Sequence, residues 1–171
     1  CSLEQIARIH QAVPHVPLEA FVHGALCVSY SGCCQASQYC FSRSANRGQC
    51  AQFCRLPFTL EDAEGNVLAK EKYLLSLRDM NRTSSLEEMM DAGIRSFKIE
   101  GRLKDVSYVK NVTAWYRLCI DKILRRRPEY ARPSYGKVEL NFQPDPNRSF
   151  SRGFTSYFIH DRREKMASVH T

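Results

Sequence analysis

Ser84-Ser85-Leu86-Glu87-Glu88-Met89-Met90-Asp91-Ala92-Gly93-Ile94-Arg95-Ser96-Phe97-Lys98-Ile99 is the stretch that decides the fold. Ser84-Ser85-Leu86-Glu87 reads as a capping box, in which a serine accepts from the first helical turn and an acidic residue reaches back. It predicts a helix that ends at Gly93. Ile94 to Ile99 then reads as a strand. Beyond it, Val109, Val112, Tyr116, Cys119, Ile120 and Ile123 mark one face of a long helix closed by Pro128. Helices alternating with strands through short links point to parallel βαβ units rather than a sandwich.

Working outward, Ser2-Leu3-Glu4-Gln5 is another capping box and predicts a helix from about Ser2 to Val13, ended by Pro14 and Pro17. Leu18 to His23 reads as a strand running into Gly24. Cys27 to Arg55 is irregular and holds six of the eight cysteines. Pro57 to Leu68 predicts a hairpin turning at Glu64-Gly65-Asn66, and a short strand follows at Tyr73 to Leu77. After Pro128, a Val138, Leu140, Phe142 alternation between Pro133 and Pro144 predicts a strand in a β-rich module.

The predicted class is α/β. Three or four strands would supply only the C-terminal part of a (β/α) barrel, which takes about 250 residues. Residues 1–128 are expected to form that barrel half, with the cysteine-rich segment at 27–55. Residues 129–171 would be a linker and the start of a β-rich accessory domain. A chain of 171 residues that opens without methionine on a helix cap reads as a fragment.

The formal charge is +7, which favours anionic partners such as nucleic acid or a carboxylate substrate. Arg117, Lys122, Arg125, Arg126, Arg127 and Arg132 crowd one helix end, where cations also suit the helix dipole. No apolar run is long enough for a membrane span, and no signal-peptide pattern opens the chain. A cytoplasmic protein is expected. The sequence sets no oligomeric state.

Cys27, Cys33, Cys34, Cys40, Cys50 and Cys54 fall close together, leaving Cys1 outside and Cys119 on the apolar stripe as a small core residue. Disulfides suit secreted proteins, and nothing here signals secretion. Structural zinc takes four thiolates in close pairs, as Cys50 and Cys54 would provide. An iron–sulfur cubane also takes four, at irregular spacing. Arg43, Arg47 and Arg55 favour the thiolate form for either. Spacing alone leaves zinc and iron–sulfur open.

Three ordered blocks carry a family resemblance. They are Glu19-Ala20-Phe21-Val22-His23-Gly24-Ala25-Leu26-Cys27-Val28-Ser29-Tyr30-Ser31-Gly32-Cys33-Cys34, then Asn46-Arg47-Gly48-Gln49-Cys50-Ala51-Gln52-Phe53-Cys54-Arg55, then Phe97-Lys98-Ile99-Glu100-Gly101-Arg102-Leu103-Lys104. Together they resemble the collagenase-like U-32 peptidase family. Ser149 to Phe158 is similar to its larger, RNA-modifying branch, whose type is a ribosomal RNA 5-hydroxycytidine synthase.

The resemblance implies a TIM-like barrel holding a 4Fe–4S cluster on Cys27, Cys34, Cys50 and Cys54. Cys33, where relatives usually carry a polar or basic residue, and Cys40, an additional thiol, depart from the family pattern, and either could substitute as a ligand. It also implies oxygen-independent hydroxylation of a nucleobase in ribosomal or transfer RNA, with prephenate as a small carboxylate co-substrate. The family label states the alternative, a collagenase-like peptidase. A zinc-stabilised binding module is a second alternative.

Lys98, Glu100 and Arg102 are expected to alternate at the end of the last strand, where barrel active sites form. There, Lys98 or Arg102 would clamp a carboxylate. The same three residues also read as salt-bridged interior charges. His23 is the candidate base, or else a core residue. Arg43, Asn46 and Arg47 are candidate substrate contacts. RNA phosphates would meet the basic helix end, Arg148 or Arg152, with Phe154 or Tyr157 as stacking faces. No HExxH zinc motif is present.

Overall fold

The computed structural model describes residues 1–160 and 165–168. In chain order the elements are α1 (Leu3–Ala12), β1 (Leu18–Gly24), α2 (Gln35–Phe41), β2 (Phe58–Glu61), β3 (Val67–Lys72), β4 (Asp79–Asn81), α3 (Leu86–Asp91), β5 (Ile94–Ile99), α4 (Val106–Arg126) and β6 (Phe154–Thr155), with short 3-10 turns between them. Among the described residues no helix is long and apolar enough to cross a membrane. The chain divides into two compact units. The first is Cys1–Gly24, Met80–Ser151 and residues 156–160, and the second is Ala25–Asp79, Arg152–Thr155 and residues 165–168.

In the first unit β1 lies between two partners. It pairs parallel with β5, Ala20 opposite Phe97 and Phe21 opposite Lys98. On its other edge it pairs antiparallel with β4, His23 opposite Asn81, so the strands are mixed rather than uniformly parallel. Of the predicted face of α4, Val112, Tyr116 and Ile123 are buried and join Val22, Leu86, Met89 and Ile94 in one core, whereas Val109 is exposed and the neighbouring Tyr108 is buried in its place. Cys119 packs against that core from the same stripe. Each large apolar side chain buried this way contributes about 1.5–3 kcal/mol.

Caps define the helix starts. Ser2 and Gln5 close the predicted capping box of α1 reciprocally, at 3.3 and 2.9 Å. Asp105 accepts from the Tyr108 N–H at 2.7 Å to start α4, a contact whose loss costs about 1 kcal/mol. The capping box expected at Ser84 does not form. Thr83–Ser85 is a 3-10 turn, Ser85 is the N-cap of α3 without a side-chain cap bond, and its hydroxyl meets His160 Nε2 at 3.0 Å instead.

The strand expected around Val138, Leu140 and Phe142 is irregular chain. Among the described residues it has no partner strand. The following residues are held by α4: Asn111 donates to the Asp145 carbonyl and the Ser149 hydroxyl, both at 2.7 Å, and accepts from the Asp145 N–H at 2.9 Å.

His23 lies inside this unit, 2% exposed. Its Nδ1 is 3.3 Å from the Tyr116 hydroxyl, and the rings meet edge to face at 5.5 Å. Tyr116 donates to the Val22 carbonyl at 2.8 Å. A buried phenol is costly to ionise, and burial pushes the Tyr116 hydroxyl up to about 12.

In the second unit β2 and β3 form the predicted hairpin, Phe58 opposite Lys72 and Glu61 opposite Val67. Asp62 closes its turn by accepting from the Glu64 and Asn66 N–H groups at 3.1 and 2.8 Å. Phe53 packs between Phe41 and Phe58, at 5.9 and 4.9 Å between ring centres. The strand expected at Tyr73–Leu77 is a turn, with the Ser76 N–H bonded to the Tyr73 carbonyl. Only Leu77 makes a bridge, to Ala167.

Two outcomes follow for the first unit. Gly24 has φ +119°, and a Cβ there would lie 2.7 Å from the Cβ and carbonyl oxygen of Glu100. Gly24→Ala should lower stability by about 2 kcal/mol or more in urea titration; an unchanged midpoint would show that β1 relaxes freely. Because the Tyr116 proton is held more tightly in the folded state, the native chain keeps it between pH 10 and 12 while the unfolded chain loses it. Stability should therefore be full below pH 10 and fall through that window. Tyr116→Phe should flatten this fall, read as the urea midpoint at pH 9 against pH 11.5.

Candidate functional site

The cysteine-rich segment lies within the second unit. It carries three arginines, and no Asp or Glu occurs between Glu19 and Glu61, so the local field is positive. Four short turns fold it: Tyr30–Gly32, α2, Ala45–Arg47 and Phe53–Arg55. The sequence reading left this stretch irregular and missed α2, whose residues carry no apolar helical stripe.

Cys34, Cys50 and Cys54 are partly buried, whereas Cys27, Cys33 and Cys40 are exposed. Cys34 caps the N-terminus of α2, its Sγ accepting from the Ser37 N–H at 3.4 Å, with the Ser37 hydroxyl also 3.4 Å away. Those contacts hold the Cys34 thiol below its ordinary range. Cys50 Sγ accepts from the Gln52 N–H at 3.4 Å. Burial pushes the Cys54 thiol up; Arg55 opposes that, and the like charges of Cys27, Cys50 and Cys34 add to it. The three cysteines that act on Cys54 are therefore the other members of the expected ligand set.

Among the described residues, no three His, Cys, Asp or Glu side chains are drawn together closely enough to hold an ion. The four thiols share a neighbourhood without a coordination geometry. As donors they suit iron–sulfur or zinc, since both take four thiolates. N–H donors to sulfur, as at Cys34 and Cys50, are the contacts that tune a thiolate-bound cluster.

Two further residues join these thiols: Ser37, which the sequence does not single out, and Arg55, which it offers as a charge favouring the thiolate. Ser37, fully buried, also accepts from the Ala51 N–H at 3.2 Å. Arg55 donates to the Leu26 carbonyl, to the Leu77 carbonyl at 3.2 Å and to the Ser76 hydroxyl at 3.2 Å. A serine inside a short helix carries no signal of its own, and Arg55 stood out only as a charge.

The other candidate residues are placed as follows. Only Lys98 lies in β5; Glu100 and Arg102 follow it in a turn, so the three do not alternate along one strand. Lys98 pairs with Glu19 at 3.5 Å and stands over the Phe21 ring. Glu100 accepts from the Arg102 N–H at 2.7 Å. The Arg102 side chain is exposed and has no carboxylate partner among the described residues. Arg43, Asn46 and Arg47 are exposed, and neither arginine is ion-paired among the described residues.

The basic helix end is largely neutralised. Arg117 and Arg132 share Asp121, Arg126 pairs with Glu87, and Arg127 binds Glu87, Asp91 and Glu129. Arg148 lies 3.9 Å from Asp145, and Arg152 3.3 Å from the buried Asp79. Tyr157 stacks on Phe158 at 5.0 Å, and Phe154 lies in β6.

A serine–histidine contact does exist, Ser85 to His160. Glu88 approaches the same Nε2 at 3.5 Å, and Ser85 is fully buried. In a hydrolytic triad the acid holds the opposite ring nitrogen and the serine is open to substrate. Among the described residues no acid holds the opposite nitrogen of His160, and Ser85 is closed to substrate.

A model of peptidase family U32 matches residues 1–168. The chain is 52% identical over 162 residues to the 23S rRNA 5-hydroxycytidine C2501 synthase of Escherichia coli, which covers 95% of this chain and 25% of that protein. It is 37% identical over 139 residues to a collagenase of Porphyromonas gingivalis, covering 81% of this chain and 38% of that protein. It is 38% identical over 112 residues to the tRNA hydroxylation protein P1 of Bacillus subtilis, covering 62% and 26%. The chain thus spans between a quarter and two-fifths of these relatives' lengths. No solved structure matches it. On the family match over nearly its whole length, the chain belongs to peptidase family U32.

Proposed function

We propose that this chain is the cluster-binding part of an enzyme that hydroxylates a nucleobase in ribosomal or transfer RNA. The observation that carries the reading is the way the cysteine segments are drawn together, Ser37 joining those of Cys34 and Cys50 and Arg55 joining those of Cys54 and Cys27. Relatives named for RNA hydroxylation supply the substrate class. Cys27, Cys34, Cys50 and Cys54 would hold a 4Fe–4S cluster, which supplies one-electron chemistry when bound. The parallel pairing of β1 with β5 and the helix packed on it suit the closing part of a TIM-like barrel.

The chain's own residues divide the remaining work. Arg102, exposed and without a carboxylate partner among the described residues, is the better placed of the two strand-end cations to bind a small carboxylate co-substrate such as prephenate, because Lys98 is engaged by Glu19. Arg43 and Arg47, exposed on an acid-free segment, would meet RNA phosphates, and Asn46 between them would add a polar contact. The ion-paired helix end is a weaker RNA contact than its charge count suggests.

Peptidase activity is the competing reading, carried by the collagenase-named relative. The buried Ser85 and the shared Nε2 of His160 give it little mechanical support.

Nucleoside mass spectrometry of ribosomal and transfer RNA, from cells with the gene intact, deleted or carrying Cys54→Ser, tests the proposal. One hydroxylated pyrimidine should disappear in both mutants and return on complementation. Identical nucleoside profiles in all strains would reject RNA hydroxylation, and collagen cleavage that survives Cys54→Ser would favour the peptidase.

A further inference from the structure

Resting on the cluster reading above, we infer that Ser37 and Arg55 are positioning residues that tie the four cysteine segments together in pairs and set the electronic environment of the bound sulfurs. The two sets of contacts are complementary. Ser37 sits one helical turn after Cys34, and its amide and hydroxyl both face that sulfur at 3.4 Å. The same hydroxyl accepts from the N–H of Ala51, next to Cys50. Its carbonyl accepts from the Arg43 N–H at 3.0 Å, which fixes the exit of α2. One buried side chain therefore joins the Cys34 and Cys50 segments.

Arg55 does the same for the other pair. It follows Cys54 directly and donates to the carbonyl of Leu26, the residue before Cys27. Two further bonds, to Ser76 and the Leu77 carbonyl, anchor the guanidinium from a third direction. A planar fork with several donors can span these acceptors at once, whereas an ammonium is a point charge.

Each residue also has an electrostatic effect. Hydroxyl and amide donors to a thiolate, and a nearby cation, both stabilise added negative charge, and therefore the more reduced state of a cluster. Removing the Ser37 hydroxyl also leaves the Ala51 N–H without its acceptor. Arg55→Lys keeps the charge and loses the fork, so the two variants separate tuning from tethering.

The test uses the full chain, loaded with iron and sulfide under anaerobic conditions. Ser37→Ala and Arg55→Lys should each retain about ten-fold less iron against a chelator. Ser37→Ala should also shift the electron paramagnetic resonance spectrum of the reduced protein and move its reduction potential negative, with the far-ultraviolet circular dichroism unchanged. If Ser37→Ala alters the dichroism, Arg55→Lys decides by the same retention criterion. A loaded wild-type chain whose variants retain iron equally and give superimposable spectra overturns this inference alone. A wild-type chain that takes up no iron overturns the cluster reading and this inference with it.

Discussion

Thiols gathered in one neighbourhood resist ionising together, so a partly buried one needs positive charge or hydrogen-bond donors beside it to become a thiolate. At Cys54, burial and the influence of Cys27, Cys50 and Cys34 push the thiol up, and the Arg55 cation opposes them. The absence of any carboxylate between Glu19 and Glu61 keeps that balance from worsening. Cys34 meets the same constraint through hydrogen bonds from Ser37. The buried Ser37 and the bridging Arg55 tie these cysteine segments together.

The other unit solves a different problem, a central strand with buried polar groups beside it. β1 is covered at its C-terminal end on both faces, so His23 and the Tyr116 hydroxyl must satisfy one another and the Val22 carbonyl. Arg82, also buried, donates to the carbonyls of Phe21, Ser156 and Tyr157 at 3.2, 3.0 and 3.0 Å. These polar contacts hold β1 against α4 and β4 at the point where Gly24 leads out of the strand.

Elements whose determinants are local were legible in the sequence: the capping box of α1, the hairpin turn at Asp62–Asn66 and the apolar stripe of α4. Features decided at long range were not. The Ser85 hydroxyl is taken by His160, 75 residues away, so the cap pattern at Ser84 carried no information about the bond made. Arg126 and Arg127 looked available because Glu87 and Asp91 lie 36 to 40 residues upstream, whereas the Asp121 shared by Arg117 and Arg132 is close in sequence. Residues 138–142 alternate like a strand but pair with no strand among the described residues. The candidate ligand set came from motif resemblance, since spacing fits zinc as well as iron. Ser37 carries no signal in the sequence, and Arg55 shows there only as a charge, its bridging bonds depending on the fold.

The central claim is that four particular cysteines, out of six close in sequence, hold one cluster. Quantitative iron and sulfide analysis of anaerobically reconstituted chain, with each of the six replaced singly by serine, tests it most directly. The account predicts about four iron and four sulfide per chain, lost on replacing Cys27, Cys34, Cys50 or Cys54 and retained on replacing Cys33 or Cys40. Zinc in place of iron, or loss of the cluster with Cys33 or Cys40, would contradict it.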